Sequence, residues 1–433
     1  MKARARCIVL FLVLSLTVGL FMGCQKTDNK NNVSSNENGD IVIRVAVQGS
    51  AIADLEVLTE AYEETHKGIT FKLEEILGDY TTKLLAQVAA KKAPDLIWLS
   101  DIQVPGLASK GVLTDLSEYI DINEDEFYES MLDCGKYDGK LYMLSRDYNH
   151  VVCYYNKQIF DQAGVAYPQE GWTWEEFEKT AEKLAVPSNI SGMYERRGAD
   201  VNLSWGATAP LIIMGLGGSL TTPYPNGTEA NFNTEGTVAA LTRIKKLVDS
   251  GALRNSFKDD VGSFENGKVG MYFNTRSIMK NIIDETTGLG AENIGVVSLP
   301  TLPVKHYVGA GTSGYAILSS SAYKEEVADF LEFTVSKEGQ TVFAKSGNCV
   351  PIRKDMIDDP AWIDSVPGIP SEPFVENLEY DTIQPCLTIK NEKAVTNFDT
   401  SWRNALYGLL NDIKSPKEAA EFGQAEMANI LKQ

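Results

Sequence analysis

Between Val151 and Leu184 the chain reads VVCYYNKQIFDQAGVAYPQEGWTWEEFEKTAEKL, and the order of elements in this stretch decides the fold. Val151 to Tyr155 is a short apolar run of β-branched and aromatic residues, the composition of a strand buried on both faces. Asn156 ends it. Lys157 to Ala163 reads as a short helix closed by Gly164, which takes the left-handed conformation of a helix C-terminus without a Cβ clash. After a turn through Pro168 and Gly171, Thr173 and Glu176 have the spacing of a capping box, and Trp172 and Phe177 that of a hydrophobic staple. Phe177, Ala181, Leu184 and Ala185 then mark the buried face of a second helix.

Upstream, Ile41 to Val47 is a strand of alternating apolar character, followed by a helix from about Ala53 to His66 and a strand from Phe71 to Ile76. Asp79 and Tyr80 lead a helix with Leu84, Leu85, Val88 and Ala89 on one face, and Pro94 and Asp95 introduce a strand from Leu96 to Leu99. Strands alternating with helices predict a mostly parallel α/β sheet. Ligands of such sheets lie at the carboxyl ends of the strands, which singles out Gln48, Gly49, Tyr80, Ser100 and Asp101. Downstream, Trp205 to Gly218 reads as a helix carrying Pro210, Phe232 to Val248 as a helix entered through an Asn-Thr cap, and Tyr315 to Ser319 as a strand.

The aromatic pair and Asn-Lys of Tyr154 to Lys157, the Ala-Gly-Val ending at Val165, and Thr-Trp-Glu-Glu-Phe from Thr173 to Phe177 resemble a signature of bacterial extracellular solute-binding proteins of family 1, receptors that feed carbohydrates to ABC importers. The resemblance continues through Pro94 to Leu99, Gly111 to Leu116, Asp138 to Leu144, Phe264 to Asn274, Lys324 to Ser336 and Gly347 to Arg353. It implies an α/β, two-lobed, periplasmic-binding-protein-like fold of type II, each lobe a sheet flanked by helices and the two joined by a hinge. The lobes implied are 41–148 plus 304–336 and 149–303 plus 337–433, with crossings near Asn149, Pro303 and Ser336. A sugar or oligosaccharide would bind in the cleft by hinge closure and pass to the permease and its ATPase, with no catalysis and no cofactor or metal, and the receptor would be a monomer. Asp101 ends a strand where the family places a ligand-binding acid, Asn274 and Arg276 occupy its ligand-contacting loop, Asp147 and Asn149 lie where the chain first crosses between lobes, and Trp205 and Trp402 fall near its binding positions. With Gln48 and Tyr80, these are the candidate ligand-binding residues.

A formal net charge of −19 argues against nucleic acid, whose binding needs a basic footprint. Lys2, Arg4 and Arg6 before the apolar run Ile8 to Leu20 make residues 1–23 a secretory signal. The run ends Leu20-Phe21-Met22-Gly23-Cys24 in the manner of a lipoprotein site, although Phe21 stands where the family pattern has leucine. Cys24 would then be lipidated and residues 24–40, polar and poor in apolar groups, would form a disordered tether holding the protein to the outer face of the cytoplasmic membrane. Cys134, Cys153, Cys349 and Cys386 allow three full pairings, among which their positions do not choose.

Other motifs carry less. Gly309, Gly311 and Gly314 spell G-x-G-x-x-G, but the run YAILSSS after them is strand-like, whereas a dinucleotide pyrophosphate needs a helix N-terminus; close backbone approach near the hinge explains these glycines better. Asp121, Asn123 and Asp125 open like a calcium loop, yet Glu126 stands where glycine is needed and Leu132 where the last carboxylate belongs. His66, His150 and His306 match no metalloprotease or triad motif. The competing readings are a secreted carbohydrate-active hydrolase using two of the many carboxylates, none of which is marked as a pair, and a glycan-binding surface protein without transport.

Overall fold

A computed structural model describes residues 39–432 apart from 50, 226, 259–260 and 390–391. The signal 1–23, Cys24 and all but the last two residues of the tether lie outside the described residues. No helix among those described is long and apolar enough to cross a membrane.

The deciding stretch forms as its pattern predicts. Its strand, Val152–Asn156, is second in a five-stranded sheet, antiparallel to the edge strand Ile294–Val297 on one side and to the central strand Val269–Asn274 on the other, with Tyr194–Asp200 and Val186–Pro187 beyond. Alternate residues feed opposite cores: Val151 and Cys153 pack in one apolar cluster, Val152 and Tyr154 in another. The Asn156 side chain accepts from the Ile159 N–H at 3.2 Å and starts the helix Lys157–Ala163, which Gly164 closes at φ +63°. The capping box of Thr173 and Glu176 begins the helix Trp174–Leu184, and the Trp172 and Phe177 rings meet edge-on at 5.8 Å. Trp174, rather than Ala185, completes its buried face, because the backbone turns extended at Ala185.

The other five-stranded sheet runs Ile69–Ile76, Ile41–Gln48, Leu96–Ser100, Ser313–Ile317 and Leu144–Ser145. Its first three strands are parallel, and Ser313–Ile317 runs antiparallel to both of its neighbours. Period-two alternation sends Ile43, Val45 and Val47 to one side and Ala46 to the other.

Two expectations change. The helix expected from Trp205 extends only over Ala209–Gly215, because Pro210 lacks an N–H and is tolerated only in a first turn. Residues 202–208 are therefore a loop, entered through Asn202 at φ +49°. The crossing expected near Ser336 also moves. Ser336 is an extended corner whose side chain caps Lys337–Ala344 by accepting from the Gly339 N–H at 3.1 Å, and that helix packs back onto Ala51–Thr65 and Lys324–Val335 on the first sheet's side.

The chain passes between the sheets through a three-stranded ladder. Val308–Gly311 lies in its centre, antiparallel to Asn149–His150 and parallel to Asp381–Thr382. The His150 Nδ1 and Asp381 Oδ1 meet at 2.7 Å, both groups buried. Burial holds the Asp381 carboxyl up to about 8, while burial and His306 hold the His150 ring down to about 3. Folded, the pair keeps one proton between about pH 3 and 8; unfolded, with ordinary values of 3.8 and 6.5, it has shed both above about pH 6.5. The folded state binds more protons only between about pH 6.5 and 8, so stability falls as pH rises through that window. Urea unfolding at intervals from pH 6 to 8.5 is expected to show a decline of about 1–2 kcal/mol that Asp381→Asn flattens. A decline of the same size in the variant assigns the titration to another group.

Candidate functional site

The carboxyl ends of the parallel strands open into a cleft of about 620 Å³ between the two sheets. The first sheet contributes Gln48, Trp98, Ser100 and Asp101; the second contributes Trp205 from the loop after Tyr194–Asp200, and Thr275 and Ser277 after Val269–Asn274. Ladder residues Asn149, Ala310 and Gly311 form part of its wall, with Gln384 just past the ladder.

Of the residues expected to bind ligand, Gln48, Asp101, Asn149 and Trp205 come together in this cleft. Asp101 is 2 % exposed. Its Oδ1 accepts from the Ile102 N–H at 2.8 Å and the Gln384 Nε2 at 3.2 Å, while Oδ2 is buried with no partner. Burial raises its carboxyl to about 6. The neighbouring Trp98 Nε1 is a second buried polar atom without a partner. An orphan acceptor and an orphan donor on one strand end are what a polyhydroxyl ligand, which both donates and accepts, would satisfy.

Asn274 lies outside the main cleft and lines, with Asn202, Ser204 and Trp205, an open depression of about 290 Å³. Trp205 borders both spaces, so a ligand crossing it would run from one to the other. Asn274 is itself held by donating to the Tyr272 hydroxyl at 2.7 Å.

Four candidates belong to the framework. Tyr80 is buried, donates its hydroxyl to the Ala46 carbonyl at 3.0 Å and packs edge-on against Trp98, so it supports the cleft from behind. Asp147 is buried in the turn before the ladder, where its Oδ1 accepts from Asn149 Nδ2 at 2.9 Å and its Oδ2 faces Arg146 Nε at 3.4 Å. Arg276 is 1 % exposed, donates to the Gly347 and Trp362 carbonyls and the Ser365 hydroxyl, and lies over the Trp362 and Phe374 rings. Trp402 is wholly buried in the helix Glu392–Leu410, its Nε1 donating to Asp399 Oδ1 at 2.9 Å. The residue pattern marks these groups as polar or aromatic, but depth is set by the packing of distant segments.

Trp98, Asp54 and Gln384 line the cleft without having been expected there, and Arg146 does so from the loop before the ladder. Strand alternation points to Trp98: Ile97 and Leu99 face one core, so Trp98 shares the other face with Ser100 at the cleft. Arg146 donates to Ser313 Oγ at 2.9 Å and pairs with Asp54 at 3.4 Å, joining segments far apart in sequence. Nothing local marks Gln384.

The three glycines of G-x-G-x-x-G serve close approach. A Cβ on Gly309 would fall 1.9 Å from the Ala207 carbonyl oxygen, one on Gly311 2.8 Å from Asp101 Oδ2, and one on Gly314 2.2 Å from the Leu144 carbonyl oxygen. A strand, Ser313–Ile317, follows in place of a phosphate-binding helix. Asn123 caps the short turn Glu124–Glu126. Among the described residues no group of His, Cys, Asp and Glu gathers to hold a metal, and Cys134, Cys153, Cys349 and Cys386 are free thiols.

The family model described as bacterial extracellular solute-binding protein matches residues 58–370. A putative binding protein of Brucella abortus strain 2308 is 24 % identical over 331 residues, covering 74 % of this chain and 78 % of that protein. The diacetylchitobiose binding protein of Streptomyces coelicolor is 22 % identical, covering 76 % and 77 %. Among solved structures, an ABC substrate-binding protein of Listeria monocytogenes in complex with cycloalternan superposes with a TM-score of 0.76 at 24 % identity, over 90 % of this chain and 98 % of that one. This last likeness establishes the fold.

Because Arg276 and Trp402 are framework, Arg276→Ala and Trp402→Ala are each expected to lower unfolding free energy by about 3 kcal/mol. Urea denaturation measures this. A fully stable variant of either would place that side chain outside the core.

Proposed function

The chain belongs to the bacterial extracellular solute-binding proteins, and on that premise we propose that it is the receptor of an ABC importer, taking a sugar or oligosaccharide into the cleft between its lobes and handing it unchanged to the permease. Membership of this family makes it a binding protein with an extracytoplasmic place of action. The observation that carries the sugar reading is the cleft's chemistry: two indoles, Trp98 and Trp205, beside the unpartnered Asp101 Oδ2 and the amides of Gln48 and Asn149. Indole faces take the apolar face of a sugar ring, and a carboxylate with amides takes its hydroxyls. The relatives' ligands, diacetylchitobiose and cycloalternan among them, support a ligand of more than one ring, as does the second space beyond Trp205. Catalysis is not needed: binding that engages both lobes favours the closed arrangement. Lipidation at Cys24, a monomeric state and docking to permease subunits complete the reading.

Calorimetry across a panel of soluble oligosaccharides, with chromatography of the recovered ligand, tests it. Reversible binding and intact ligand are expected; steady conversion to product would identify a hydrolase. Asp101→Ala should weaken binding by about 1–3 kcal/mol. An ionised carboxylate accepts a ligand hydroxyl more strongly than a neutral one, so affinity is expected to rise as pH climbs from 5 to 7 through the raised Asp101 value of about 6. A flat profile would remove Asp101 from the contact.

A further inference from the structure

Gln384 lies two residues past the ladder strand Asp381–Thr382, is 7 % exposed, and touches both sides of the cleft. Its Nε2 donates to Asp101 Oδ1 at 3.2 Å, at the end of a first-sheet strand. A Cβ on Gly206 would come within 2.4 Å of the Gln384 Oε1, so the other end of the same amide is pressed against the loop that carries Trp205. No residue other than glycine fits at 206 without moving Gln384. One side chain thus joins the first sheet, the ladder and the aromatic loop of the second sheet, in a place that the signature stretch does not reach.

We propose that Gln384 is a positioning residue that couples ligand contact at Asp101 to the placement of the Trp205 loop, and so holds the lobes together when ligand is bound. This rests on the reading of the cleft as the ligand site. A hydroxyl donated to Asp101 Oδ2 favours the ionised carboxylate, and an N–H to an ionised acceptor is the stronger hydrogen bond. Around pH 6 and below, where Asp101 without ligand is largely protonated, ligand therefore tightens the Gln384 contact without touching Gln384. The amide matters because its N–H donates; a carboxylate in its place would repel Asp101. The other titratable or charged groups at this junction are Asp399, with its Oδ2 2.8 Å from the Gly206 Cβ position, Arg403 at 4.0 Å from Asp399, and the buried thiols of Cys134 and Cys386.

Gln384→Glu keeps the shape and exchanges the donor for a titrating acid. Below about pH 5 the protonated glutamic acid still donates, and affinity for the tightest-binding glycan of the panel is expected within about threefold of the unsubstituted protein; by pH 7.5 it is expected to be at least about tenfold weaker. The unsubstituted protein should show the opposite trend, tightening as pH rises, while Gln384→Ala is weakened about three- to tenfold at both pH values. Solution scattering should show the glycan-saturated Gln384→Glu protein more extended at pH 7.5 than at pH 5. A Gln384→Glu profile parallel to that of the unsubstituted protein, or a Gln384→Ala protein with undiminished affinity, overturns the proposal. If no glycan binds the unsubstituted protein, the sugar reading fails separately, and the coupling is read from the ligand-free proteins: a pH-dependent expansion confined to Gln384→Glu upholds it, and identical scattering of the two overturns it.

Discussion

The architecture depends on how closely backbone segments approach along residues 308–317, first in the ladder and then in the first sheet. Gly309 lies where a Cβ would overlap the Ala207 carbonyl oxygen and Gly314 where one would overlap that of Leu144, so side chains at these positions would push the second-sheet loop and the strand Leu144–Ser145 away from the central strands. With glycines there, the carboxyl ends of both sheets converge on one cleft. Gly311 extends the same logic into the site itself, because it leaves room for Asp101 Oδ2. A motif that resembles a phosphate cradle is therefore used for packing.

Around this convergence the buried polar groups fall into two kinds. Arg146 is held by Ser313, Asp54 and Asp147, and Arg276 by two carbonyls and a hydroxyl, so each charge has partners within the fold. Such groups are costly to disturb and lock neighbouring segments in register. Asp101 differs. One of its oxygens is fixed by the backbone and Gln384, and the other is buried without a partner. A carboxylate held this way is oriented before ligand arrives, and little ordering remains to be paid for on binding.

The ladder adds a property that neither sheet has alone. His150 and Asp381 come from its two outer strands, far apart in sequence, and share a proton in an environment with little water. Their contact ties the first crossing to the third, while Ser336, expected to be a crossing, serves as a corner between two helices packed against each other on the first sheet's side. The C-terminal segment therefore supports the first sheet before it returns through the ladder to the helices Glu392–Leu410 and Pro416–Leu431, which pack against Glu235–Asp249.

Local chemistry alone made much of this legible. The capping box of Thr173 and Glu176, the Trp172–Phe177 staple, Gly164 and the strand from Val151 depend on neighbours within a few residues, where physical rules act without knowledge of the rest of the chain. The rule for carboxyl ends of strands likewise led to Gln48 and Asp101, because strand direction fixes which end faces the crevice. Depth and distant partnership were not legible. Arg276 and Trp402 are polar or aromatic in sequence but buried by segments tens of residues or more away, Trp98 reads as core until strand alternation turns it to the cleft, and the contact of Gln384 with Asp101 spans most of the chain. The sequence by itself determined the elements, their order and the family; tertiary structure decided which side chains face the cleft, because that depends on contacts between segments that no local pattern encodes.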